Sequence, residues 1–266
     1  MNLITKAFDN KKNKNQASLL SYTVACDPDF DTSLKIMHEI ANNGATALEV
    51  GIPHNCCVGE GIFIQNAVDR VLKNDTKIED IFKLIEEFRK SNQDTPLIFM
   101  LYYNSALQYG EDNFIKKSKE IGVNGFIIVD YPYPQNLEFA EKCRASDIAF
   151  IQLLSPTTDD ERIEKVTNDA DMIYYISMLS TTGGKLKVNP KEIIKKYKLI
   201  KSMNSNTNII IGFGITTENI QEFNKSDSVV VGSLLCKTVE KCIENSIDPA
   251  IEIGKIIKEL NSKITS

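Results

Sequence analysis

Histidine is nearly absent from this chain, with two copies in 266 residues, and its six cysteines contain no C-x-x-C pair. That excludes the common dithiol motif and the usual zinc spacings, and a reduced, cytoplasmic protein is the expectation. No apolar run reaches the roughly 18–20 residues of a membrane span. The opening MNLITKAFDNKKNKN has no apolar segment followed by a small-residue cleavage site, so no signal peptide is expected. Excess positive charge is missing too. The formal net charge is −5, which gives no electrostatic case for nucleic acid. Lys116, Lys117 and the lysines of KKYK at 195–198 fall among acidic residues and read as solvated helix faces. No linker, low-complexity tract or shift in composition divides the chain, so one domain over 1–266 is expected.

What is present is a soluble composition, 42% hydrophobic and 25% charged, that can bury a large core. Short apolar runs rich in Ile, Val, Leu and Tyr alternate with segments of helical period. The predicted strands lie at 19–25, 46–52, 96–103, 125–130, 148–154, 172–178, 208–213 and 228–233. Most are apolar on both faces, as parallel strands covered on both sides should be. Between them, segments such as DTSLKIMHEIANNG and KIEDIFKLIEEFRKS begin acidic, repeat apolar residues at i, i+3, i+4 and end near Gly, Asn or Ser. Eight strands alternating with helices make a (β/α)8 TIM barrel the expected fold, with a short N-terminal helical extension; a doubly wound open sheet is the competitor.

In such a barrel, function sits where strands end and loops begin. Glu49 is a charge in an otherwise apolar strand. Facing the barrel mouth, it would have its pKa raised by burial and could move a proton; the alternative is a buried ion pair. Asp130 ends another apolar run, either for chemistry or to accept backbone N–H groups of the next loop. Glycines at Gly183, Gly214 and Gly232, the last followed by Ser233, sit at late strand ends. There, backbone amides and a helix start favour phosphate, against a reading as plain turn glycines.

The stretch ALEVGIP…EGIFIQNA (47–67) resembles the signature of the tryptophan synthase alpha subunit family, roughly L-E-L-G-I-P-F-S-D-P-x-A-D-G-P-x-I-Q. ACDP (25–28), YYN (102–104), VDYP (129–132), SPTT (155–158), TGG (182–184), GFGI (212–215) and VGS (231–233) recur in family order, so the resemblance covers nearly the whole chain. It implies a (β/α)8 barrel that cleaves indole-3-glycerol phosphate into indole and glyceraldehyde 3-phosphate. It also implies a beta-subunit partner that carries pyridoxal phosphate, in an αββα complex, with no cofactor in this chain. By the resemblance, Glu49 shuttles a proton between the glycerol hydroxyl and indole C3, and Glu60 stabilises positive charge at the indole nitrogen. Tyr22, Met100, Ile127, Leu153, Tyr174 and Phe213 match apolar lining positions. Tyr102, Asp130 and Thr182 match polar positions, and Gly183, Gly214, Gly232 and Ser233 match the phosphate cradle.

The departures gather in two loops. The family's F-S-D-P is His54-Asn55-Cys56-Cys57, Glu60 replaces Asp, Ser180 replaces a glycine, and Pro134-Gln135 replaces an acidic pair. His54, Cys56 and Cys57 with Cys26 could in principle hold a metal, but adjacent cysteines are awkward ligands for one tetrahedral ion. Thiol redox chemistry and drifted loop residues are the other readings, and drift is the expectation, with no metal site. A weakly active or non-catalytic alpha-like subunit that only activates beta is the alternative function; another phosphosugar barrel is a third.

Overall fold

The computed structural model describes residues 2–177, 189–212 and 214–266. Eight parallel strands close in chain order into one barrel. They are β1 Ser18–Val24, β2 Ala47–Gly51, β3 Leu97–Leu101, β4 Gly125–Ile128, β5 Ala149–Leu154, β6 Met172–Ile176, β7 Asn208–Gly212 and β8 Ser228–Val231. Before them runs α1 Leu3–Lys12, and α2 Phe30–Asn42 joins β1 to β2. Two helices, α3 Ile62–Lys73 and α4 Ile78–Ser91, fill the next crossover, and α5 Tyr103–Tyr109 and α6 Glu111–Glu120 the one after. Then follow α7 Leu137–Ala145, α8 Asp160–Asp169 and α9 Pro190–Met203. A 3-10 turn at Ile220–Phe223 precedes β8, and α10 Ser233–Glu244 and α11 Pro249–Ile264 end the chain.

The strands are shorter than the apolar runs that predict them, because pairing stops where the chain bends into a loop. Thus β4 ends at Ile128, and Asp130 lies in the turn beyond it, exposed. Helix starts follow local chemistry: Asp29 caps α2 by accepting the Thr32 N–H at 2.9 Å, and Asp248 caps α11, whose first residue is Pro249.

Register sorts every strand into two faces. Phe99, Phe126 and Phe150 lie side by side on β3, β4 and β5. They point outward, where Phe114 of α6 approaches Phe126 to 5.3 Å and Phe139 of α7 approaches Phe150 to 5.9 Å. Phe82 of α4 joins the same cluster, 6.4 Å from Phe99. Fully burying a Phe of this kind is worth about 1.5–3 kcal/mol. The alternate residues point into the barrel: Tyr22 pairs with Glu49 and Glu49 with Ile98. At the strands' N-terminal end, α1 lays Ile4 across Gly125, where a Cβ would come within 2.8 Å of Ile4 Cδ1. Asn2 secures this closure by donating to the carbonyls of Asn124 (3.0 Å) and Asp147 (3.2 Å). The opposite end is the mouth.

Candidate active site

Inward-facing positions alternate along each strand, and following them toward the mouth reaches most of the residues singled out from the sequence. Tyr22, Glu49, Met100, Ile127, Leu153 and Tyr174 all belong to this inward set, since Met100 pairs with Ile127 and Leu153 with Tyr174. The parity continues to Tyr102, just past β3, and to Gly232, just past β8.

Two tyrosines pave the floor, and glycines on neighbouring strands make room for them. A Cβ on Gly51 would lie 2.2 Å from Tyr22 Oη, and one on Gly212 would lie 2.4 Å from the ring of Tyr174. On the other flank of Tyr22, a Cβ on Gly232 would stand 3.0 Å from Tyr22 Cβ. Gly51 and Gly212 are required by close approach of a tyrosine side chain, while Gly232 is only tightly packed. A side chain at Gly232 would meet Tyr22 before anything else. Burial pushes both tyrosines' pKa far above the usual value, so they remain neutral hydroxyls; the charges of Glu49 and Glu60 add to the effect on each. The four groups therefore converge.

Glu49 is completely buried, and neither carboxyl oxygen has a hydrogen-bond partner among the described residues. An ion pair is not what holds it. With no described residue hydrogen-bonded to the anion, burial pushes its pKa up to about 8, so the protonated form is favoured at neutral pH. A protonated acid aimed into a barrel mouth is a proton donor in waiting.

Glu60 lives differently. It sits in the loop between β2 and α3, is nearly buried, and its Oε2 accepts the Tyr102 hydroxyl at 2.5 Å. The Gly59 N–H in turn donates to Tyr102 Oη at 3.0 Å. Its pKa is raised, chiefly by burial and further by Asp130; the Tyr102 hydrogen bond, a backbone bond and the charge of His54 offset only part of the rise. Burial raises both carboxyls, but among the described residues only Glu60 has partners that favour its anion. Asp130 Oδ1 accepts the Tyr103 N–H at 2.7 Å, tying the turn after β4 to the start of α5.

On the far side of the mouth, Gly214 has φ +72°, a left-handed conformation that favours glycine. Asn219 holds this loop by donating to the Gly214 carbonyl at 2.8 Å and accepting the Thr216 N–H at 2.8 Å. Gly232 precedes Ser233, the first residue of α10, so a helix N-terminus with its free amides opens there. Thr182, Gly183 and Phe213, and with them Ser180, lie outside the described residues. A groove of about 330 Å³ lined by Ile52, Pro53, Thr76, Ser105 and Tyr109 runs along the outer rim beside β2 and does not include Glu49.

Among the described residues no three His, Cys, Asp or Glu side chains form a group able to hold a metal, and no helix is long and apolar enough to cross a membrane. Cys26 is buried, Cys56 exposed and Cys57 half-buried; burial pushes the Cys26 thiol up to about 12. Sequence reasoning missed Gly51, Gly212, Asn219 and the part played by His54. A glycine directly before the loop, beside a strand carrying an inward tyrosine, is the pattern that could have revealed the first two.

A family model described as "Tryptophan synthase alpha chain" matches residues 8–264. The chain is 48% identical over 266 residues to the tryptophan synthase alpha chain of Pelagibacter ubique, covering all of both chains. It is 34% identical to that of Aquifex aeolicus, covering 98% of each. A crystal structure of tryptophan synthase subunit alpha from Legionella pneumophila superposes with a TM-score of 0.91 at 30% identity, covering 99% of this chain and 98% of that one.

Proposed function

The chain belongs to the tryptophan synthase alpha chain family, and from that premise we infer that its mouth cleaves indole-3-glycerol phosphate to indole and glyceraldehyde 3-phosphate. One observation carries the assignment of roles: a fully buried carboxyl, Glu49, with neither oxygen paired among the described residues, where burial raises its pKa. It starts the cycle as an acid. It protonates indole C3, which makes the ring an indoleninium cation with positive charge at nitrogen. Glu60, supported as an anion by Tyr102, faces that charge and stabilises it. The Glu49 carboxylate then takes the proton of the glycerol hydroxyl next to the ring. The C–C bond breaks, its electron pair returns to the ring and neutralises the nitrogen, and the hydroxyl carbon leaves as an aldehyde. Glu49 regains its proton, so no net acid or base is consumed and no cofactor is needed in this chain.

Tyr22, Met100, Ile127, Leu153 and Tyr174, with Phe213, are assigned to the indole and its carbon chain, Tyr102, Asp130 and Thr182 to the polar end. Gly214, Gly232 and Ser233, with Gly183, are assigned to the phosphate; the helix start at Ser233 and the left-handed turn at Gly214 support this. The partner assigned is a beta subunit carrying pyridoxal phosphate, in an αββα assembly that converts the indole to tryptophan, in the cytoplasm. The test is indole release from indole-3-glycerol phosphate by the purified chain, alone and with beta. Release that beta enhances supports the reading; no release under either condition refutes it.

A further inference from the structure

We propose that His54 is a positioning residue for Glu60, acting through the ring of Tyr102. The imidazole lies on the Tyr102 ring with centroids 4.9 Å apart and planes at 21°. Its own angle is set by the chain, because Nδ1 accepts the Cys56 N–H at 3.1 Å. A neutral ring in this arrangement carries its proton on Nε2. The imidazole is thus gripped by its loop on one edge and rests on the tyrosine with its face.

Below it, the Tyr102 hydroxyl is held in two directions, donating to Glu60 Oε2 at 2.5 Å and accepting the Gly59 N–H at 3.0 Å. A Cβ at position 59 would stand 3.3 Å from that hydroxyl, so glycine there lets the phenol seat fully. His54, Gly59 and Glu60 share the loop after β2, whereas Tyr102 stands on the rim at the end of β3. The stack therefore closes the loop onto a rigid strand end, and the Glu60 carboxylate is fixed where the two meet. Glu60 needs such an anchor because its side chain has one more torsion than aspartate, and a misplaced charge stabiliser loses its effect steeply with distance. The groups that face Glu60 are His54 and Cys57 from its own loop, Tyr102 from β3, Asp130 beyond β4, and the floor tyrosines Tyr22 and Tyr174.

The test reads Glu60 directly. In the 13C-labelled chain without ligand, the Glu60 carboxyl is titrated by NMR, its signal assigned with Glu60→Gln. Tyr102→Phe removes a donor to the anion and moves the midpoint up, by about 0.5–1 pH unit. His54→Ala moves it up as well, His54→Phe moves it less because an aromatic ring returns to the stack, and the His54→Ala/Tyr102→Phe double variant shifts less than the sum of the two. A His54→Ala midpoint equal to wild type, equal shifts for Ala and Phe, or strict additivity overturns the inference. The kinetic arm rests on the lyase reading: His54→Ala lowers kcat about tenfold with KM changed no more than about twofold, and His54→Phe recovers most of the loss. A wild-type chain that releases no indole refutes the lyase reading, and the titration still decides the role of His54.

Discussion

Replacing Glu49 by glutamine should perturb two observables at once, and both follow from one buried carboxyl without a hydrogen-bond partner among the described residues. The amide would keep the shape but could not give or take the proton, and an acid/base group contributes about 10²–10⁴-fold to rate. Indole release by Glu49→Gln is expected to fall by that factor while the fold persists. The second observable is stability against pH. The Glu49 carboxyl stands at about 8 in the folded chain against an ordinary 4.5. Between these values the folded state holds a proton that the unfolded state has released, so stability falls as pH rises through the window and the loss is complete above it. At 1.36 kcal/mol per unit, the gap corresponds to about 5 kcal/mol. The buried amide of the variant leaves hydrogen-bonding groups unsatisfied at a cost of about 1–3 kcal/mol, but that cost does not depend on pH. Urea unfolding at pH 5, 7 and 9 separates the two. The difference between wild type and Glu49→Gln should shift in favour of the variant by several kcal/mol from pH 5 to pH 9. Parallel stability curves, or a variant retaining more than about a tenth of wild-type kcat, would refute the reasoning.

On the proposed roles, the same two carboxyls should shape the rate profile. kcat/KM should fall on the alkaline side as Glu49 loses its proton near pH 8, and on the acid side above the usual 4.5 as Glu60 gains one; a flat profile from pH 5 to 9 counts against the assignment. Gly232→Val would press on Tyr22 and crowd the start of α10, so KM should rise by more than the melting temperature loss explains. Glycerol phosphate at ten times its Kd should stabilise the wild-type chain by about 1.4 kcal/mol, and no rise in melting temperature at millimolar ligand argues against a phosphate site. Changing Cys56 and Cys57 together to Ser should leave basal indole release within about threefold in reductant or chelator, because neither thiol is placed in proton transfer or phosphate binding; zinc at one per chain would overturn that.

Much of the barrel was legible because its signal is repetitive. Apolar runs at regular intervals, separated by helical patterns, leave few topologies, and the eight strands fall where the runs lie. Glu49 was legible for the opposite reason, as a single charge in an apolar strand. Other features were less so. Asp130 read as the last residue of a strand, but pairing ends at Ile128 and Asp130 accepts the Tyr103 N–H instead. Strand ends are set by where neighbouring strands stop pairing, which no single segment encodes. His54 read as drift because its partners, Tyr102 and the Cys56 amide, are not recognisable as partners until the loop is folded back onto β3.

The glycines show how sequence and site are joined. Gly51 and Gly212 are given no role by the sequence beyond the motifs that contain them, yet each lies against a tyrosine from the adjacent strand. A floor of two large neutral phenols can be laid across a barrel of this width only if the neighbouring inward positions carry no side chain. Glu49 is fully buried beside that floor and has no hydrogen-bond partner among the described residues, and its burial raises its pKa to about 8. The acid strength of Glu49 is therefore set in part by residues with no side chains and no charge. Gly212→Ala would drive a methyl into the Tyr174 ring, so the ring must leave its place beside Glu49. The Glu49 pKa should then fall toward the ordinary range as water enters, carrying the alkaline limb of kcat/KM to lower pH. An unmoved limb in an active, folded Gly212→Ala chain would show that the tyrosine floor does not govern the acid.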